Sequence, residues 1–145
     1  VLAANRDCQL IAVAGGNVRA LASLQALVQR HPGRLLAQGY SAQVERLMAC
    51  ADLAITKPGG LTTAECLAMG LPMLLSAVIP GQEERNADYL IEQGAALKAF
   101  DQLTLRYRIG HLLAHPEKLA DMRERARALG RPDAAREVLA TVLDN

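Results

Sequence analysis

Aromatic residues are scarce: one Phe, three Tyr and no Trp among 145 residues. Surfaces that hold single-stranded nucleic acid by base stacking need more aromatic faces than this. An excess of one charge is missing too. Sixteen Lys and Arg stand against 15 Asp and Glu, for a formal net charge of +1. Bulk charge therefore argues for neither nucleic acid nor an acidic partner. The three cysteines, Cys8, Cys50 and Cys66, are odd in number and widely spaced. Without a CxxC pair they suggest neither a zinc site nor a disulfide framework. Three small buried hydrophobes in a reducing compartment are expected instead. No apolar run is long enough for a membrane span, which needs about 20 residues. The longest uncharged stretch, Cys66 to Gln82, is broken by Gly70, Pro72, Pro80 and Gly81. No basic segment followed by an apolar run opens the chain, so no secretory signal is read. Val1 to Arg6 lacks Met and reads as the end of a helix, and a piece of a longer protein is expected.

Hydrophobic residues make up 51% of the chain, enough for one domain with a core. Short apolar runs alternate with longer amphipathic segments. Gln9–Ala14, Leu35–Ala37, Asp52–Thr56, Met73–Ala77 and Ala95–Ala99 read as strands. Helices are predicted over Val18–Gln29, from a Ser41 cap to Ala51, over Thr62–Met69 and over Glu83–Glu92. Three more follow, over Leu103–Ala114, Glu117–Leu129 and Ala134–Leu143. This alternation predicts an α/β fold, a Rossmann-like parallel sheet with helices on both faces. Such sheets bind ligands at the carboxyl ends of their strands. The loops predicted there are Gly15–Asn17, Lys57–Thr63 and Ile79–Asn86.

The sharpest of these is Lys57-Pro58-Gly59-Gly60-Leu61-Thr62-Thr63-Ala64-Glu65. A strand feeds a glycine pair, then hydroxyl residues, then a helix. Glycines let the backbone approach an anion closely, and the helix N-terminus favours a phosphate. Thr62 and Thr63 can add hydroxyl donors, and Glu65 can accept from ribose hydroxyls. A second reading stays open, in which Thr62 caps the helix and Glu65 completes a local cap. Lys57 either helps neutralise a diphosphate or is simply solvated. Pro80-Gly81-Gln82-Glu83-Glu84-Arg85-Asn86-Ala87 offers an amide and acids that suit a hexose, or an acid-rich first turn favoured by the helix dipole.

The run from Ala51 to Ala96, with its GGLTTAE and GQEExN blocks, resembles the donor domain of processive diacylglycerol glucosyltransferases and monogalactosyldiacylglycerol synthases. The lipid II-forming N-acetylglucosaminyltransferase is a more distant relative. Gln9–Asn17 is similar to that family's strand and Gly-x-Asn loop, and Gly39-Tyr40 to its Gly-aromatic segment. The resemblance implies the C-terminal half of a GT-B fold, with residues 1–145 forming a nucleotide-sugar-binding domain incomplete at its N-terminus. It implies transfer of a sugar from a UDP-sugar to a diacylglycerol-like lipid, with no cofactor and no nucleic-acid partner. Uracil would be met by the backbone near Gly39 and Tyr40, and the diphosphate bordered by Gly16 and Asn17. Gly59, Gly60, Thr62 and Thr63 would hold phosphate and Glu65 the ribose. Pro80, Gly81, Gln82 and Glu83 would face the sugar, with Asn86 supporting their loop. The lipid-binding domain and the usual candidate base would precede Val1, so no catalytic residue is assigned in this chain. Arg85 stands where relatives often have a small residue, which leaves the sugar open. The implied location is the cytoplasm, with the inner face of the membrane as the surface to which the full-length protein would bind.

Two other functions are weighed: a non-catalytic nucleotide-sugar-binding module, and a GT-B-type sugar-nucleotide epimerase. His111 and His115 are four apart, but no acid sits between them and no third ligand is evident, so no metal site is read. The basic tail, including Lys118, Arg123 and Arg125, alternates with acids and predicts solvated helix faces with i,i+4 pairs, with a role at an anionic membrane surface as the weaker alternative.

Overall fold

The computed structural model describes residues 2, 8–76, 81–99 and 101–143. The elements run β1 (Leu10–Val13), α1 (Val18–Val28), β2 (Leu35–Gln38), α2 (Val44–Ala49), β3 (Ala54–Thr56) and α3 (Gly60–Ala68). Then come β4 (Met73–Leu75), α4 (Gln82–Glu92), β5 (Ala96–Lys98), α5 (Gln102–Ala114), α6 (Pro116–Leu129) and α7 (Ala134–Leu143). All strand pairings are parallel, as the alternation predicts, but the strands form two hydrogen-bonded sheets rather than one. The chain divides into two compact units, Val1–Leu47 and Met48–Asn145, and the division falls within α2.

In the first unit β1 pairs with β2 from Leu10 opposite Leu35 to Val13 opposite Gln38. Alternating exposure along β1 shows one face more covered than the other. Helix α1 follows a turn in which Gly15 takes φ +56°, a conformation that suits glycine. The helix expected to start from a Ser41 cap begins later, at Val44. The Ser41 hydroxyl instead accepts from the Gln43 N–H at 3.2 Å, a local turn that competes with helix entry.

The second unit is built on the order β3-β4-β5. Met73, Leu74 and Leu75 of the central strand are all 0% exposed, which is why β4 reads as an unbroken apolar run. Cys66 of α3 and Ala87 and Leu90 of α4 complete the core with Leu71 and Ala96. Helices α5 and α6 each bury two residues, Ile109 with Leu112 and Met122 with Ala126. Just past α6, Gly130 packs on the end of α3 so closely that an added Cβ would lie 2.4 Å from the Leu67 carbonyl oxygen.

The cysteines do not share one environment, contrary to expectation. Cys66 is buried, Cys8 is half-buried, and Cys50 is exposed because it sits in the turn that ends α2. Burial, with the Glu65 charge next door, pushes the Cys66 thiol up to about 11. The i,i+4 pairs expected in the tail are also not those seen. Arg136 pairs with Asp133 at i,i+3, and Arg123 reaches Asp52 at 3.2 Å.

Candidate functional site

In the second unit β3 and β4 are parallel neighbours, so both deliver their following loops to the same edge of the sheet. Helix α3 starts two residues before its expected start, at Gly60, with Gly59 as its N-cap. Gly59 has no side chain to accept a hydrogen bond, and no side chain caps this end. The first helical bond is Thr63 N–H to Gly59 carbonyl at 3.0 Å. The N–H groups of Gly60, Leu61 and Thr62 thus lack an intrahelical acceptor, and none of the described residues accepts from them. That geometry closes the local-cap reading: Thr62 and Glu65 lie inside the helix, in its first and second turns.

The two threonines are not equivalent. Thr62 is half-buried, whereas Thr63 is buried at 6% exposure. The Thr63 hydroxyl donates to the Gly59 and Gly60 carbonyls at 3.0 and 3.1 Å. Its expected role as a phosphate donor therefore meets a hydroxyl already engaged within the turn. Glu65 is exposed, and its carboxylate has no ion-pair or hydrogen-bond partner among the described residues. A solvated carboxylate at this place is free to accept from a ligand hydroxyl.

Helix α4 enters through Gly81 at φ +107°, a backbone that disfavours any side chain. Gln82 is exposed at the first helical position and Glu83 follows it, with its side chain 22% exposed. Lys57 lies 3.7 Å from the Glu83 carboxylate, so this cation pairs loosely across the two loops. One turn on, the Asn86 side-chain N–H donates to the Pro58 carbonyl at 3.0 Å. This bond fixes the β3–α3 loop to α4. The sequence places Pro58 in this loop but gives no sign that its carbonyl receives Asn86. Pro80 lies outside the described residues. Gly60, Thr63, Asn86 and Leu90 line a cleft of about 150 Å³. Sites for whole small-molecule ligands hold about 300–1,000 Å³, so this cleft has room for a fragment such as a phosphate.

In the first unit Gly16, Asn17, Gly39 and Tyr40 follow the carboxyl ends of β1 and β2. The Ala14 N–H bonds the Gln38 carbonyl at 2.8 Å and ties these ends together. Asn17 caps α1, its Oδ1 accepting from the Ala20 N–H at 2.9 Å. Tyr40 is 80% exposed. A Cβ on Gly39 would touch Leu21 at 3.4 Å, so this position is close-packed toward α1. His111, on α5, and His115, between α5 and α6, lie apart from these loops in sequence; His115 Nδ1 pairs with Glu117 at 3.1 Å.

The family described as glycosyltransferase family 28 C-terminal domain matches residues 2–138. The processive diacylglycerol β-glucosyltransferase of Bacillus pumilus is 33% identical over 138 residues, covering 95% of this chain and 36% of that protein. The enzyme of the same name from Bacillus licheniformis is 31% identical over 143 residues, 99% of this chain and 37% of its own length. The chain thus spans little more than a third of these relatives. Among solved structures, Acinetobacter baumannii MurG superposes with a TM-score of 0.74 at 20% identity, covering 96% of this chain and 42% of that one. The spinosyn rhamnosyltransferase SpnG, complexed with spinosyn aglycone, gives 0.57 at 16% identity over 95% of this chain and 46% of its own. These likenesses establish the fold as the Rossmann-like C-terminal half of GT-B glycosyltransferases. By sequence and fold together, the chain belongs to the glycosyltransferase family 28 C-terminal domain family.

Proposed function

We propose that residues 1–145 act as the nucleotide-sugar-binding domain of a glycosyltransferase that uses a UDP-sugar and a diacylglycerol-like lipid. The observation that carries this is the uncapped start of α3. Three backbone N–H groups, at Gly60, Leu61 and Thr62, stand ready behind a glycine turn that Thr63 and Asn86 hold in place. Such an array suits the diphosphate of the donor. In transfer, a bond forms between the acceptor oxygen and the anomeric carbon, and the bond from that carbon to the diphosphate oxygen breaks. Negative charge then develops on the leaving UDP, and fixed N–H dipoles stabilise it. Glu65 would receive the ribose hydroxyls, Gln82 and Glu83 the sugar hydroxyls, and Gly16, Asn17, Gly39 and Tyr40 the remaining nucleotide. No acid or base for the transfer is assigned to this chain, and no cofactor enters the proposal. Names of the Bacillus relatives supply the lipid acceptor and a glucosyl donor as the first pair to test. Among the described residues no helix is long and apolar enough to cross a membrane. Contact of the full-length protein with a lipid substrate is proposed as peripheral, at the inner face of the membrane.

Thermal unfolding with UDP, ADP and GDP tests the donor site. A ligand that binds only the folded chain stabilises it by about 2.7 kcal/mol at 100 times its Kd. Selective stabilisation by UDP, lost in Glu65→Ala, is expected. Equal responses to the three nucleotides would remove the uracil specificity from the proposal. Because the chain spans 36% of its first relative, we expect binding without turnover from these residues alone.

A further inference from the structure

We propose a second ligand site, for a phosphate-type anion, in the groove between α5 and α6. The groove has a volume of about 220 Å³ and shares no residue with the cleft at α3. Arg108 and His111 of α5 and Lys118, Asp121 and Arg125 of α6 supply its polar lining. Buried Leu112 and Met122 supply apolar lining. Three permanent cations thus face one acid. None of the three has a carboxylate within ion-pair distance among the described residues.

Lys118 and Arg125 are exposed and Arg108 is half-buried, and two details set Arg108 and Lys118 apart from ordinary surface cations. Arg108 Nε is buried without a hydrogen-bond partner among the described residues, so the inner edge of this guanidinium is cut off from water and only its outer N–H groups can meet a ligand in the groove. Lys118 Nζ lies 3.0 Å from His111 Nε2. An ammonium is donor-only, so it uses the lone pair of a neutral imidazole where a carboxylate would ordinarily serve. The Arg125 side chain covers Gly94, whose φ of +74° and absent Cβ let it lie there. A tetrahedral anion meets what this set lacks: several acceptor oxygens and negative charge, which Arg matches with paired N–H groups. The groove has room for a phosphate group. That group can be a free phosphate or ester, or the headgroup of a lipid.

His111 reports on the site. Its pKa is lowered by burial first, then by Lys118, His115 and Arg108, with Glu117 acting in the opposite sense. Asp121 and Arg125 face the same groove, and Tyr107 stacks on the imidazole at 5.9 Å. An anion held among the cations offsets their charge, so protonation of His111 becomes easier and its pKa rises. Affinity for an anion of fixed charge therefore increases as pH falls through the His111 titration.

The experiment follows the His111 imidazole by NMR in the full 145-residue chain. Sodium sulfate and inorganic phosphate are titrated against sodium chloride at matched ionic strength, which controls for screening. In parallel, co-flotation is measured with phosphatidylcholine vesicles and with phosphatidylcholine–phosphatidylglycerol vesicles. Saturable upward movement of the His111 pKa with sulfate or phosphate beyond chloride supports the site with a soluble ligand. Flotation only with the anionic vesicles supports it with a lipid headgroup. In either case Lys118→Gln, at an exposed position that leaves the core intact, is expected to weaken binding about tenfold. Arg108→Gln is expected to do the same. Binding unchanged in both variants, or no response beyond chloride together with no preference for anionic vesicles, would overturn the proposal.

Discussion

Single side chains around the α3 turn divide into those that can touch a ligand and those that hold the turn. The Glu65 carboxylate is exposed and has no partner among the described residues, so Glu65→Ala should weaken UDP binding about tenfold or more while leaving the urea midpoint unchanged. Asn86 and Thr63 belong to the second group. Asn86→Ala removes the bond to Pro58 and should lower stability by about 1 kcal/mol and weaken UDP. Asn86→Asp should not restore either property, because a carboxylate would meet the Pro58 carbonyl with no N–H to give. Chemical denaturation and calorimetry on the two variants check this; full recovery in the Asp variant would remove the proposed bond from the account. Thr63→Val keeps the branched shape and loses the hydroxyl, at a cost of about 1 kcal/mol. The residue types of this turn were legible in the sequence, since Gly-Gly followed by hydroxyl residues and an acid fits an anion-binding turn. The inward engagement of Thr63 was not. Two adjacent threonines look alike in a sequence, and only the turn of the helix decides which one is buried.

Elements explain why the loops converge. Parallel pairing of β3 with β4 places the start of α3 beside the start of α4, and Asn86 then spans the gap. This much follows from strand-helix alternation, and the boundaries expected for α3 and α4 fall within two residues of those observed. The start of α2 was misplaced because Ser41 serves a local turn, a choice the Ser side chain makes equally well. The packing of Gly130 on α3 could not be read either, because Gly130-Arg131-Pro132 looks like any break between helices. That packing carries a prediction. Gly130→Ala forces a Cβ to within 2.4 Å of the Leu67 carbonyl oxygen, a backbone atom with little room to give. It should cost about 1–3 kcal/mol by separating α6 from α3. A urea midpoint equal to that of the parent would contradict this close approach.

For the molecule as a whole, the cysteines offer a readout of folding that needs no ligand. Only the thiolate alkylates readily. Cys50, exposed, should react with iodoacetamide in the native chain, whereas Cys66 should react only on unfolding. Peptide mass spectrometry separates the two. The same burial sets a dependence on pH. The Cys66 thiol, ordinarily at 9.0, is held near 11 in the folded chain. Between these values the unfolded chain releases a proton that the folded chain keeps, so stability falls as pH rises through this window. The loss is on the order of 2–3 kcal/mol. Comparison with Cys66→Ala isolates this term, and identical slopes for the two chains would show that Cys66 does not contribute it.

Amide NMR of the labelled chain titrated with UDP tests most directly whether the start of α3 holds the donor diphosphate. The N–H signals of Gly60, Leu61 and Thr62 should move together and saturate, while that of Thr63, already bonded to Gly59, moves less. Saturable UDP binding that left those three signals unmoved would contradict the account and send the search for the phosphate site elsewhere in the chain.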